Sequence, residues 1–400
     1  MVLKAVPGAV VAVTKAMRYL IALFIVLLSS SGIAAVLPVD RADALFHSYS
    51  GGGIDITGPA VLVRKSVSDS VSLSAKHYVD TISSASIDVE FIVGASTYEE
   101  ERVENSFSID YLNQKTLMNF SYTNSEENDF SADTFAFGIS QDMFGDLMTV
   151  SLGYAHGDNV VRKTETKGVL DPDFLEYSQS DTFNVGLTQV ITKNLIMSAA
   201  FNVTTDAGFL NNPYRKYRYR LSGDPSNYGK EDEKYPETRT SNALAIRARY
   251  FLPYRAALHA EFRTFQDSWG IDGNNIEIGY THPFADDWIA EVHFRTYAQT
   301  NATFYEDIFT YQQFLNQNFL ARDKELSTFN NSTIGFGISY EFAKGEGGTI
   351  DKAAVNFKYD YIQFNYEDFR DARDLSLVAG TEPLYQFDAN VMQLFLSVWF

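Results

Sequence analysis

The chain has 400 residues, a formal net charge of −19 at pH 7 and no cysteine. That charge excludes a nucleic-acid surface, which needs an excess of Lys and Arg to meet phosphates, so no nucleic-acid partner is expected. The missing cysteine excludes disulfides, thiolate metal sites and cysteine nucleophiles, and 31 Phe and 24 Tyr beside a slightly negative mean hydropathy are unusual for a soluble protein.

Lys4, Lys15 and Arg18, with no acidic residue nearby, flank the apolar run Leu20–Leu28, and small residues follow. This order predicts a secretory signal peptide over residues 1–34. Gly32-Ile-Ala34 and Ala42-Asp-Ala44 are the two candidate cleavage sites, and Met17 is an alternative start. The apolar run is too short to cross a bilayer as a helix, and no later run is longer. Residues 35–69, which hold Gly51-Gly-Gly53 and Pro59, are expected to form an N-terminal segment. It is read as a plug or a periplasmic stretch, with a hidden strand as the other reading.

From residue 70 onward apolar residues alternate with period two, the pattern of strands with one apolar face. Val103, Phe107, Ile109 and Tyr111 alternate with Ser106, Ser108 and Asp110, and Ile334, Phe336, Ile338 and Tyr340 with Gly335, Gly337 and Ser339. Fourteen strands are predicted: 70–80, 102–113, 115–124, 131–141, 146–157, 178–190, 194–205, 238–252, 254–266, 273–283, 286–300, 331–343, 351–364 and 388–400. Most are 10–14 residues long. Globular strands run about 5–6 residues, whereas a tilted bilayer-crossing strand needs about 9–11. Short connections alternate with long polar ones, such as 206–237 and 301–330.

These features predict an all-β protein, an antiparallel up-and-down transmembrane β-barrel of about 14 strands, 16 being allowed, over residues 70–400. The expected place is the bacterial outer membrane, in contact with its lipid and lipopolysaccharide. A secreted soluble β-sandwich is the competing reading, but its strands would be shorter. In the last strand Met392, Leu394, Leu396, Val398 and Phe400 share one face. Alternation ending in Phe resembles the signature read by the barrel-assembly machinery of Gram-negative bacteria, which Phe400 is expected to engage.

Two segments carry the densest charge. Ala257–Phe265 sets Leu258 and Phe262 on one face and His259, Glu261 and Arg263 on the other. Ala290–Tyr297 sets Val292 and Phe294 against Glu291, His293 and Arg295. Closure of the barrel would give the apolar faces to lipid and the charged rows to the lumen. Glu277, on the strand between, is expected opposite His293 or Arg295 on one side and Glu261 or Arg263 on the other, with Gly279 leaving room for long neighbours. The candidate site is therefore a luminal charge cluster of His259, Glu261, Arg263, Glu277, Glu291, His293 and Arg295, either a ligand-binding constriction or a neutralising ladder. Replacing Glu277 is expected to disturb folding or conductance more than replacing any loop acid.

None of the six histidines lies in a recognisable nucleophile or acid–base motif, and no G-x-S-x-G occurs. No catalytic, cofactor-binding or metal-ligating residue is assigned, and the chain is not expected to be an enzyme. Asn211-Asn-Pro-Tyr-Arg-Lys-Tyr-Arg-Tyr-Arg220 mixes bases with aromatics. It is read as an outer loop that meets lipopolysaccharide or folds inward onto luminal carboxylates. Acidic loops such as Glu231-Asp-Glu233 lack calcium-loop spacing.

Residues 51–65, Ser84-Ala-Ser-Ile-Asp-Val89, Asn124-Ser-Glu-Glu-Asn-Asp129, Ile139-Ser-Gln-Asp-Met-Phe-Gly-Asp146 and Asn211-Asn-Pro-Tyr-Arg215 together resemble an uncharacterised bacterial family, a domain of unknown function taken to be outer-membrane barrels. The resemblance covers nearly the whole mature chain and implies the architecture without an activity. It also implies a periplasmic protein partner of redox type, since members are encoded near thioredoxin-like and flavin-transferase proteins. Two functions are expected on these grounds: a narrow or plugged channel for small hydrophilic solutes, or a non-conducting scaffold for partner proteins.

Overall fold

In the computed structural model, which describes residues 36–83, 99–164, 169–342 and 350–400, alternation becomes wall. The strands are β1 (Arg41–Gly51), β2 (Ile54–Ser68), β3 (Val71–Ser83), β4 (Glu99–Asn113), β5 (Thr116–Glu126), β6 (Phe130–Met143), β7 (Met148–Thr164), β8 (Leu170–Thr192), β9 (Leu195–Gly208), β10 (Lys216–Leu221), β11 (Asp224–Asp232), β12 (Thr238–Phe251), β13 (Ala257–Asp267), β14 (Asp272–Pro283), β15 (Trp288–Gln299), β16 (Phe329–Phe342), β17 (Lys352–Arg370) and β18 (Leu384–Trp399). Sixteen of them close into one antiparallel barrel, each pairing with its neighbours and β1 with β18. The remaining two, β10 and β11, form a separate hairpin within the β9–β12 connection. Closure leaves no edge, so every wall strand has a ladder on both sides, as hydrocarbon requires.

The two strands beyond the expected fourteen are β1 and β2. Residues 41–68 are barrel wall, which corrects the expectation of a plug or periplasmic stretch over 35–69. Gly52 (φ 64°) and Gly53 (φ 83°) both take left-handed backbone, which makes a two-residue hairpin turn with Gly51 opposite Ile54. Pro59, opposite Phe46, faces outward where the β2–β3 ladder is unpaired, between Thr57↔Thr81 and Ala60↔Tyr78. A residue without an N–H is tolerated at such a gap. The expected signal peptide and its Ala34 cleavage site lie outside the described residues. Ala44 sits inside β1, opposite Leu396 and Val61, so cleavage there would cut a closing strand.

Tight turns at one end, such as Gln114-Lys115 and Lys193-Asn194, alternate with longer connections at the other. The start of β1 and the end of β18 meet at the tight-turn end, where the Phe400 N–H approaches the Asp40 carbonyl at 3.4 Å. That end is the periplasmic one by the usual asymmetry of such barrels. The outward residues Phe107, Phe262, Ile278, Val292, Phe294 and Ile334 are exposed large apolar side chains. A continuous outer surface of this kind needs lipid. Aromatic rings mark its borders: Trp288 packs on Tyr340 (4.5 Å) at the periplasmic end, and Tyr122 on Phe135 (4.9 Å) and Tyr154 on Phe183 (5.0 Å) towards the other. The Tyr122 and Tyr154 hydroxyls donate to Asp133 (2.6 Å) and Asp181 (2.7 Å), an apolar body with a polar tip as suits an interface.

Candidate functional site

Two stretches of the lumen wall are unlike, and β1–β4 carry charged pairs of their own such as Lys76 with Glu104. Along the middle of β5–β9 the inward residues include Ser121, Ala136, Gly138, Gly153, Ala155, Thr182, Asn184, Gly186, Ala200 and Asn202. All are small or neutral. Along β12–β17 the same layers hold Arg247, Glu261, Glu277 and Arg295 in one cross-strand row, and Arg249, His259, Gly279, His293, Gly335 and Asp360 in the next. The seven residues of the expected charge cluster thus share one face of β13–β15, because each alternates with a lipid-facing neighbour.

Within the cluster the partners are specific. Glu277 lies opposite Glu261 on β13 and Arg295 on β15, one of the two expected registers on each side. Its carboxylate turns to His259 Nε2 at 3.4 Å, while Glu261 pairs with Arg247. His293 reaches past its own strand pair to Asp360 at 3.2 Å. Two glycines make these contacts feasible. A Cβ on Gly279 would overlap the His259 ring, and one on Gly335 would overlap both the His293 ring and the Asp360 carboxylate. The expectation that Gly279 makes room for long neighbours therefore has a specific occupant.

Two cavities flank the Glu261–Glu277 pair. The first, about 540 Å³, is lined by Arg263, Arg295, Asn275, Tyr297 and Asn331, with Phe265, Phe329 and Phe364 on its apolar side. The second, about 460 Å³, lies towards the periplasmic end and includes Arg247, Arg249, His259, Thr281 and Glu291. Both share Glu261 and Glu277, so these carboxylates stand between them. Of the expected cluster, Glu291 is the member set apart: its strand partners are Thr281 and Gly337.

Above the first cavity four connections fold together as a roof: 209–237 with the β10–β11 hairpin, 300–328, 371–383 and the short 268–271. The second carries a short helix, α1 (Tyr311–Asn316), started by a reciprocal cap between Thr310 and Gln313. The roof's core is aromatic, with Tyr235, Trp269, Phe304, Tyr305 and Phe369 packed on the inward strand residues Phe265, Phe329, Phe364 and Phe387. Two guanidinium groups, each only 1% exposed, tie the segments. Arg218 donates to Asp307 and Glu382, both at 2.5 Å, and Arg322 lies 3.0 Å from Asp307 and over the Phe369 ring at 4.5 Å. Arg215 pairs with Asp323, and Glu233 accepts the Arg322 backbone N–H at 2.6 Å. Burial pushes the Glu382 carboxyl up, but hydrogen bonds from Arg218 and the Gly380 N–H outweigh it and hold that carboxyl below its usual range. Burial pushes the Tyr305 hydroxyl well up.

The run 211–220 therefore folds inward, but the carboxylates it meets belong to other outer connections and not to the wall. The roof was not identified from sequence, although alternating bases and aromatics inside a connection were its visible trace. Glu277 is 30% exposed, whereas the loop acids Asp307 and Glu382, both paired with Arg218, are 10% and 4% exposed. A further pair, His47 with Asp80 at 2.7 Å, was hidden in the missed β1. Among the described residues no group of three or more His, Asp or Glu is placed to hold a metal ion.

Residues 93–365 match the model of a family described as Protein of unknown function (DUF3570). No curated protein matches the chain. Among solved structures it is similar to the siderophore receptor PirA from Pseudomonas aeruginosa, at 9% identity and a TM-score of 0.44, covering 90% of this chain and 63% of that one. It is similar to CdiB from Acinetobacter baumannii at 7% identity and 0.47, covering 88% and 60%. The outer membrane protein OpdK from Pseudomonas aeruginosa, at 9% and 0.42, is covered over 99% of its length by 90% of this chain. The chain thus spans under two thirds of the first two of these proteins.

Proposed function

Starting from the premise that this chain belongs to the DUF3570 family and is a bacterial outer-membrane β-barrel, we propose that it is a transport barrel, a narrow, loop-roofed channel for small hydrophilic solutes. One observation carries the reading: the carboxylates Glu261 and Glu277 of the charged β12–β17 wall stand between two luminal cavities. A barrel of about 16 strands is wide enough for an aqueous path. A charged stripe beside a neutral stretch of wall is a means of guiding polar solutes along one side of the lumen. In this reading the chain is not an enzyme, and lipopolysaccharide meets its outer connections while Phe400 serves the assembly machinery.

The roof supports a second reading, a non-conducting scaffold whose mouth is held by buried ion pairs and whose partners include a periplasmic redox protein. Planar-bilayer recording on the purified protein separates the two. Steady single-channel current with ion preference supports transport. Electrical silence, both in the native protein and after removal of residues 303–325, rejects transport and favours the scaffold.

A further inference from the structure

Three guanidinium groups on the charged wall remain after its ion pairs are assigned: Arg249, which lines the 460 Å³ cavity, and Arg263 and Arg295. Arg247 is held by Glu261, Glu277 turns to His259, and Arg239 is held by Asp267 at 2.6 Å. Among the described residues Arg263 and Arg295 have neither a carboxylate within ion-pair distance nor a hydrogen-bond partner. Both line the 540 Å³ cavity. In the ladder they face Asn275 and Glu277, consecutive inward positions of β14. Two inter-strand spacings and a two-residue step along the strand put their backbones roughly 12 Å apart, so both long side chains can reach one small ligand.

A second observation points to the same place. The buried atoms Arg295 Nε, Thr333 Oγ1 and Asn331 Oδ1 have no partner. Thr333 is directly opposite Arg295, and Asn331 is opposite Tyr297, the next inward residue. Buried polar atoms are normally satisfied, and a group of orphans beside an unpaired cation calls for an external partner. The same cavity is also lined by Phe265, Phe329 and Phe364.

We propose that this cavity binds a small organic carboxylate with an apolar body. The carboxylate meets Arg263 and Arg295, and the body lies against the three phenylalanines. A single negative charge suits the site better than a phosphate dianion, because Glu261 and Glu277 line the same space. The volume, within the usual range for small-molecule pockets, fits a ring-sized ligand. This deepens the transport reading by naming a solute class, and it rests on that reading for its role in passage.

The test is calorimetric titration of the detergent-purified full chain with benzoate, benzyl alcohol, acetate and phosphate. Benzoate should bind at least tenfold more tightly than the other three. Arg263→Gln and Arg295→Gln should each weaken benzoate tenfold or more while leaving benzyl alcohol unchanged, with the heat-modifiable gel mobility of a folded barrel retained. Should a Gln variant fail to fold, Arg263→Lys or Arg295→Lys keeps the charge, loses the planar fork and should still weaken benzoate. Failure of wild-type protein to bind benzoate, equal binding of benzyl alcohol, tighter binding of phosphate, or folded variants with unchanged benzoate affinity would each overturn the site. A protein that binds benzoate but carries no current loses the channel and keeps the site. One that conducts without binding benzoate does the reverse.

Discussion

The β5–β9 wall and the β12–β17 wall obey the same alternation and have opposite contents. On the first, inward positions are filled by Ser, Ala, Gly, Thr and Asn, and a Cβ on Gly138 would find nothing closer than 3.9 Å, although one on Gly186 would meet the Ser151 hydroxyl. On the second, the same positions hold long charged side chains, and Gly279 and Gly335 among them are receptacles for imidazole rings. Period two therefore specifies which side of the sheet a residue faces, while the residue type at each inward position specifies which part of the lumen can recognise a solute. The roof follows the same division, since its aromatic core rests on Phe265, Phe329, Phe364 and Phe387, inward residues of β13–β18.

The largest expected effect is in the roof over the charged wall. Arg218→Ala leaves Asp307 and Glu382 buried without their shared cation, a loss of about 3–5 kcal/mol. Hydrogen exchange should rise in 209–237, 300–328 and 371–383 and stay unchanged in β5–β9; protection unchanged in the roof would dissociate it from the ion pairs. Next comes a matched pair of glycines. Gly335→Ala must displace His293 or Asp360 and should cost about 1–3 kcal/mol, whereas Gly138→Ala should stay within about 0.5 kcal/mol. The temperature at which gel mobility shifts reads both, and equal shifts would remove the contrast between walls.

Acid should loosen the roof. Glu382 is held below the usual carboxyl range by Arg218 against the push of burial, and Asp371 by its hydrogen bond to Arg373 against burial. A depressed carboxyl contributes its full stability above its unfolded value and loses it as pH falls through the folded one. Roof protection should thus hold from neutral pH down to the usual carboxylate range and decline below it. Protection that instead falls as pH rises from that range would contradict the assignment. The smallest effect on stability is expected at Arg247→Gln. Its pair with Glu261 is exposed, so the loss is about 0–1 kcal/mol, and reversal potential in a salt gradient, rather than melting, should register it.

Much of the wall was legible because alternation is local. Leu258, Phe262, Val292 and Phe294 read as lipid-facing and His259, Glu261, Arg263, Glu291, His293 and Arg295 as luminal, and the ladder agrees. The β1–β2 hairpin was hidden by its own turn chemistry: Gly51-Gly-Gly53 and Pro59 look like a loop until Gly52 and Gly53 are seen to reverse the chain and Pro59 to occupy a gap in pairing. The roof left no periodic trace. Arg218 meets Asp307 across 89 residues and Glu382 across 164, and nothing local marks such partners. The unpaired guanidiniums of the first cavity, Arg263 and Arg295, emerged only by subtraction, once Glu277 was seen to favour His259 over Arg295.

Because the chain has no cysteine, single cysteines can report on the lumen without a background. The most direct measurement is single-channel current from Arg263→Cys, Arg295→Cys, Ser121→Cys and Thr182→Cys proteins before and after a charged, thiol-reactive methanethiosulfonate. Labelling at Arg263→Cys and Arg295→Cys should reduce current severalfold, while labelling at Ser121→Cys and Thr182→Cys should change it little. Block confined to the β5–β9 positions, or current unmoved by full labelling at both arginine positions, would contradict a solute path along the charged wall.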